Sequence, residues 1–223
     1  MMRPRPHEEP GLLASSHHGA LSAPLQHRVV LNLRRLPTYG HGTRSSQWWG
    51  IMGFCAAEGI GFVLAFGAYF YLVFINGAWP LSSKPPDIYT STLHTALMLV
   101  SLWPNYLARK YSGREDLRRV RRYLVIMSVL GTGLLALRAL EISLLHTKWD
   151  HNAYGSIVWL LLGFHTLHLL TDVVDTIVLT VLMFTRHGHG KRFGNVEQNC
   201  DYWTFVVAWW IPLYVIVYLF PRW

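Results

Sequence analysis

The chain has 223 residues, of which 52% are hydrophobic and only 14% charged, against about 25% charged residues in an average soluble domain. Its two cysteines, Cys55 and Cys200, exclude a disulfide scaffold, a four-cysteine zinc site and a cysteine-ligated iron–sulfur cluster. The formal charge of +8 gathers in segments between long apolar blocks, which argues against a nucleic-acid surface.

Residues 1–46 are rich in Pro, Ser, His, Gly and Arg and hold no apolar run long enough to span a membrane. That composition predicts a largely disordered cytoplasmic tail. Glu8, Glu9 and the prolines speak against a transit peptide, which is poor in acidic residues. Residues 47–223 then predict an all-α, five-helix transmembrane domain, with spans at about 48–74, 89–107, 123–145, 154–184 and 202–220. Each is long enough to cross a hydrocarbon layer of about 30 Å at about 1.5 Å per helical residue. Trp48, Trp49, Trp79, Trp149, Trp203 and Trp223 fall at span ends, where an indole buries its ring and keeps its N–H wet. Pro80, Pro85 and Pro86 keep the first interhelical loop non-helical.

The segment before span one, the loop after span two and the loop after span four hold 16 of the 20 Lys and Arg. All three lie on one side of the membrane. This is the positive-inside pattern, so the N-terminus is expected in the cytoplasm and the C-terminus outside. Anionic lipid headgroups, with no nucleic acid, account for that basic surface.

Polar residues within the spans carry the functional information, because each is costly there unless it faces protein or water. In span one, Gly53, Ala57, Gly61 and Ala65 form a small-residue stripe suited to close helix approach, with Glu58 beside it. A bare carboxylate in lipid is expensive, so Glu58 is expected to be neutral, paired or at a protein or lipid contact. Span three places Arg138 and Glu141 at i, i+3, a spacing that allows an internal ion pair. Span four aligns His165, His168, Asp172 and Asp175 on one helical face. That face reads as a metal or haem site, as a proton relay, or as a polar seam toward neighbouring helices. Haem would need a second axial histidine. His94 lies only about 8 Å from the outer end of span two by helix rise, too shallow for His168 and marginal for His165. By depth, Glu58 is expected to face His165 near the midplane, and His94 to join Arg138 and Glu141 in one outer-half cluster.

Five motifs in order resemble subunit III of the haem-copper oxidases, the cytochrome c oxidase subunit III family. They are Ala57-Glu58 with Phe62, Phe66 and Phe70; His94-Thr95 through Leu97 and Ser101; and Leu130-Gly131 continuing to Arg138 and Glu141. Next come Tyr154-Gly155-Ser156 followed by Gly163-Phe164-His165-Thr166-Leu167-His168, and finally Tyr202-Trp203-Thr204-Phe205-Val206-Val207 with Trp210 and Tyr214. The chain departs from the family pattern where Thr204 stands for His, Val207 for Asp, Arg138 for Gln, and Asp172 for a small residue. The five-helix form is similar to bacterial subunits that lack the first two of seven helices.

The resemblance implies a bacterial plasma-membrane subunit with no catalytic residue, metal or redox cofactor of its own. Haem and copper belong to partner subunits. Such a subunit docks on subunit I, with subunit II in the same complex, binds phospholipid and supports proton uptake. The eight span residues Glu58, His94, Arg138, Glu141, His165, His168, Asp172 and Asp175 are then internal, lipid or subunit contacts. Related alternatives are accessory subunits of bacterial nitric oxide reductase or quinol oxidase. Readings of other classes are a diheme cytochrome and a proton-coupled carrier or channel that uses Glu58 and the span-four stripe.

Overall fold

The computed structural model describes residues 46–81, 83–185 and 192–222. The tail expected over 1–46, Ser46 apart, lies outside the described residues, as do Arg186, Lys191 and Trp223. Five helices follow in order: α1 (Ser46–Asn76), α2 (Ile88–Ser112), α3 (Leu117–Ser143), α4 (Ala153–Phe184) and α5 (Arg192–Tyr214). A π-helical turn, Val215–Leu219, and a short 3-10 turn, Phe220–Arg222, extend α5. Among the described residues there is no strand.

Local chemistry sets the helix starts. Asp87 caps α2 by accepting from the Tyr89 amide, Asp116 caps α3 through the Arg119 amide, and Asn152 caps α4 through the Gly155 amide. Each side chain satisfies an amide that has no partner within its own helix. In α5, Pro212 removes a backbone donor, and the π turn follows within three residues. That turn carries Tyr218 to the interior, where it is fully buried.

α4 and α5 form the centre of the bundle. α2 packs on α3 and α5, α3 also packs on α4, and α1 lies against α4 and α5. The face of α1 that is buried carries Cys55, Gly59, Phe62, Ala65 and Tyr69, at the i, i+3 and i+4 spacing of one helical side. The expected stripe is therefore only half engaged. Nothing lies within 4 Å of a Cβ built at Gly53, whereas one at Gly61 would meet the Phe164 ring at 2.8 Å. A second close approach is Gly131, where a Cβ would stand 2.8 Å from Val173 Cγ2, so α3 and α4 meet more closely there than a side chain allows.

Four segments are long and apolar enough to cross a membrane: Ser46–Asn76, Leu117–Ser143, Ala153–Phe184 and Arg192–Arg222. The chain is a polytopic helical membrane protein. The fifth helix expected within the membrane, α2, forms with 25 residues but falls short of the other four in hydropathy. The reason is its polarity pattern. α2 buries Ser91, His94, Ser101 and Asn105 and exposes Leu93, Leu99, Val100 and Trp103, the reverse of a water-soluble amphipathic helix. The last helix also begins at Arg192 rather than at 202. Its added first turns are held by the last turns of α2, where Ser112 Oγ donates to Phe193 O at 2.7 Å and Asn105 Nδ2 to Cys200 O at 2.9 Å.

Candidate functional site

The helices alternate in direction. One end of the bundle, here the basic end, gathers Arg109–Arg122 and Arg192, and the other is the far end. The polar span residues fall into two clusters, one toward each end.

Toward the basic end, Glu58 of α1 accepts a hydrogen bond from Tyr202 OH of α5 at 2.7 Å. The imidazole beside it is that of His168, whose Nε2 is 3.6 Å from Glu58 Oε2. His165 is instead turned to α5, with Nε2 3.1 Å from Val206 O. The depth argument from helix rise was thus one helical turn off. His168 Nδ1 is 2.7 Å from Phe164 O. A carbonyl only accepts, so this nitrogen carries a hydrogen. Nε2 therefore faces Glu58 either as a bare acceptor or, with one more proton, as a donor. At 3.6 Å the two groups are within ion-pair reach but are not hydrogen-bonded to each other.

Farther along α4, Asn199 of α5 ties the two aspartates together. Its Nδ2 lies 3.1 Å from Asp172 Oδ1, 3.1 Å from Asp175 Oδ2 and 3.0 Å from Thr176 Oγ1. Asp172 is only 1% exposed, and its Oδ2 has no hydrogen-bond partner. These groups border a cleft of about 480 Å³ between α1, α4 and α5. Its polar lining is Glu58, Asp172, Asp175, Asn199 and Tyr202, with Thr171 and two further amides. Ile51, Phe54, Val178 and Leu182 supply an apolar flank. No basic side chain is among the described residues that line it.

The second cluster, toward the far end, pairs its charges within the chain but leaves Arg138 Nε and Nη2 and both His94 ring nitrogens buried without a hydrogen-bond partner. Arg138 Nη1 donates to Glu141 Oε2 at 2.6 Å, and Tyr218 OH donates to Glu141 Oε1. The Arg138 guanidinium lies 4.0 Å over the Trp210 ring, a cation–π contact. His94 and His165 pack on the same indole, at 5.1 and 4.9 Å between ring centroids. Trp210 Nε1 in turn donates to Thr95 Oγ1 at 2.8 Å. Arg138 and His94 are fully buried. Arg222 seals the end by donating to Tyr218 O and Pro86 O. Between the clusters, Phe62 stacks on Trp209 at 5.1 Å and packs on His168 at 4.9 Å.

The sequence reading missed Asn199, Trp210 and Tyr218 as members of these clusters. Asn199 fell outside the expected fifth span, Trp210 stood only as part of the last motif with no polar partner expected, and Tyr218 was not singled out. Among the described residues, no three His, Cys, Asp or Glu side chains are grouped to hold a metal ion. The positions where Thr204 and Val207 replace the family's polar pair are absorbed locally. Asn105 Nδ2 donates to Thr204 Oγ1 at 3.1 Å, and Val207 is buried in the core.

No family model matches the chain. Curated relatives do. The chain is 23% identical over 176 residues to cytochrome c oxidase subunit 3 of Thermostichus vulcanus, covering 78% of this chain and 87% of the relative. It is 28% identical over 183 residues to cytochrome c oxidase subunit 3 of Synechocystis sp., covering 80% and 78%. A vertebrate protein of the same name, from Latimeria chalumnae, is 26% identical over 200 residues, covering 83% and 75%. These relatives support a likeness to the cytochrome c oxidase subunit III family over most of the chain. Within this fold, the Glu58–Tyr202–His168 contact joins residues of three motifs that resemble that family. The cleft residues Asp172, Asp175 and Asn199 lie outside those motifs or depart from them.

Proposed function

We propose that this chain is the subunit III component of a haem-copper respiratory oxidase and carries no catalytic centre of its own. The observation that carries this reading is the agreement of bacterial and vertebrate relatives, all named cytochrome c oxidase subunit 3, over most of the chain. In this reading α2 is the fifth span: its exposed face is apolar, and its polar face is buried against protein. The basic end is cytoplasmic, by the distribution of Lys and Arg, and the C-terminus lies outside. The chain packs against subunit I, with subunit II in the same complex, and its basic collar holds anionic phospholipid. The Glu58–His168 contact supports proton supply to subunit I, since it places two ionisable groups side by side at a protein-lined depth in the cytoplasmic half.

The experiment is removal of the chain from the oxidase. Haem bands should be unchanged, because the electron path does not pass through this subunit. Turnover should fall modestly at neutral pH, fall further as pH rises and proton supply becomes limiting, and decay over successive turnovers. Altered haem bands in the first scan would overturn the reading. So would a wild-type pH profile combined with a wild-type lifetime.

A further inference from the structure

The cleft between α1, α4 and α5 brings three carboxylates, Glu58, Asp172 and Asp175, together with no basic side chain among its described lining residues. Tyr202 OH is spent on Glu58, and the Asn199 amide N–H groups are divided between Asp172, Asp175 and Thr176. Asp172 Oδ2 is buried without a partner and belongs to a residue that lines the cavity, where Asn195 and Gln198 add two further amides. His168 is the one imidazole near these groups, and it faces Glu58. The cleft is thus lined by carboxylates, and an acidic site of this kind calls for positive charge.

Depth decides what kind of cation can arrive. α4 has 32 residues and is about 48 Å long, against a hydrocarbon core of about 30 Å, so a centred helix overhangs each side by about 9 Å. Asp172 stands twelve residues before Phe184, about 18 Å along the axis, which puts it about 9 Å inside the core boundary. A headgroup ammonium would have to sink below its own phosphate to reach that level. A lysine or arginine on a neighbouring helix arrives from the side, and its aliphatic stem can lie on Ile51, Phe54, Val178 and Leu182 while its head meets the carboxylates.

We infer that this cleft is a docking site for a lysine or arginine side chain of a neighbouring membrane helix in the oxidase, with Asp172 and Asp175 as its acceptors. The inference rests on the proposed membership of an oxidase complex and adds the face and the chemistry of attachment. Asp172 and Asp175 act as partner-binding residues and Asn199 as the positioning residue that holds both carboxylates at the mouth.

The test purifies the whole oxidase in mild detergent, with wild-type chain and with an Asp172→Asn/Asp175→Asn double variant. The amount of chain in the membrane is measured before solubilisation. At equal membrane levels, the double variant should be retained about tenfold less after washing, equivalent to about 1.4 kcal/mol of lost attachment. Restoring one carboxylate, as in the Asp172→Asn single variant, should recover part of that loss. Retention of the double variant at the wild-type level overturns this inference alone. A wild-type chain that never accompanies a haem-copper oxidase overturns the proposed function as well. If the variant fails to accumulate, the structure of the wild-type complex decides. A partner lysine or arginine nitrogen within hydrogen-bond distance of Asp172 Oδ2 sustains the inference. A lipid headgroup, a free amine or only water there overturns it.

Discussion

The two polar clusters each hold a glutamate, a tyrosine and a histidine, but among the described residues only the far one holds an arginine. At the far end, Arg138 and Tyr218 both donate to Glu141 and are packed around Trp210 with almost no exposure, although Arg138 Nε and Nη2 have no hydrogen-bond partner. At the basic end, Glu58 is partly exposed, Asp175 stands at an open mouth, and Asp172 keeps an unpaired oxygen beside a cavity. The first arrangement closes its charge balance inside one chain: one guanidinium faces one carboxylate. The second sets three carboxylates together with no basic side chain among its described lining residues. The difference teaches that a closed pair contributes to holding this bundle together, whereas an open cluster is suited to a proton or to a neighbour.

The comparison is broken most directly at Arg138. Arg138→Met leaves Glu141 buried with only Tyr218 as a donor, and removing one partner of a buried ion pair typically costs about 3–5 kcal/mol. We expect a marked drop in thermal unfolding temperature in detergent, with lower accumulation in the membrane. Arg138→Met/Glu141→Leu should recover much of that loss, because no unpaired charge remains. Arg138→Gln should lie between the two, since an amide can still donate to Glu141. A single variant as stable as wild type would mean that the far-end cluster is not closed by this pair.

Trp210→Phe probes the same cluster more gently. It removes the N–H donated to Thr95 and weakens the face offered to the Arg138 cation, together about 2 kcal/mol. Asp175→Asn, at the exposed mouth of the other cluster, should change stability by no more than about 0.5 kcal/mol. Side-by-side unfolding curves check both. Equal losses for the two variants would erase the distinction between a closed and an open cluster.

How much of this could be read in the sequence depends on which physical term governs each residue. Long apolar runs and the tryptophans at their ends disclosed α1 and α4 nearly to their limits and the apolar body of α3, which starts earlier, at Leu117, because desolvation of whole helices is a summed, local property. α2 was found as a helix, but its membrane character depends on which face is buried, and that is a tertiary fact. The Arg138–Glu141 pair was legible, since three residues on one helix fix their separation. The partner of Glu58 was not. Helix rise gives depth, but it gives neither rotation about the axis nor the relative shift of α1 and α4, and one turn separates His165 from His168. Asn199 escaped because polar residues at the start of α5 placed its first turns outside a hydropathy window. The π turn that brings Tyr218 to Glu141 has no signal in sequence beyond Pro212.

The smallest expected effect sharpens the account of how the far end is closed. Pro86 accepts from Arg222, and the next residue, Asp87, caps α2, so the seal and the cap adjoin. The Thr90 hydroxyl, 2.8 Å from Asp87 Oδ2, is the main cause that holds this carboxyl below its ordinary range, and backbone amides of the first turn add to it against a small opposing desolvation. A carboxyl lowered in the folded state contributes its stabilisation above the unfolded value, near 3.8, and loses it as pH falls through the folded value. The group is fully exposed, so the effect is local fraying of the first turn of α2 rather than unfolding of the bundle. Hydrogen exchange, expressed as protection so that the intrinsic pH dependence cancels, should show the Tyr89 and Thr90 amides losing protection as pH falls below the carboxylate range. Asp87→Ala should show that loss already at neutral pH and no further loss on acidification. If the variant keeps wild-type protection at neutral pH, the seal at Arg222 holds the start of α2 without help from the cap.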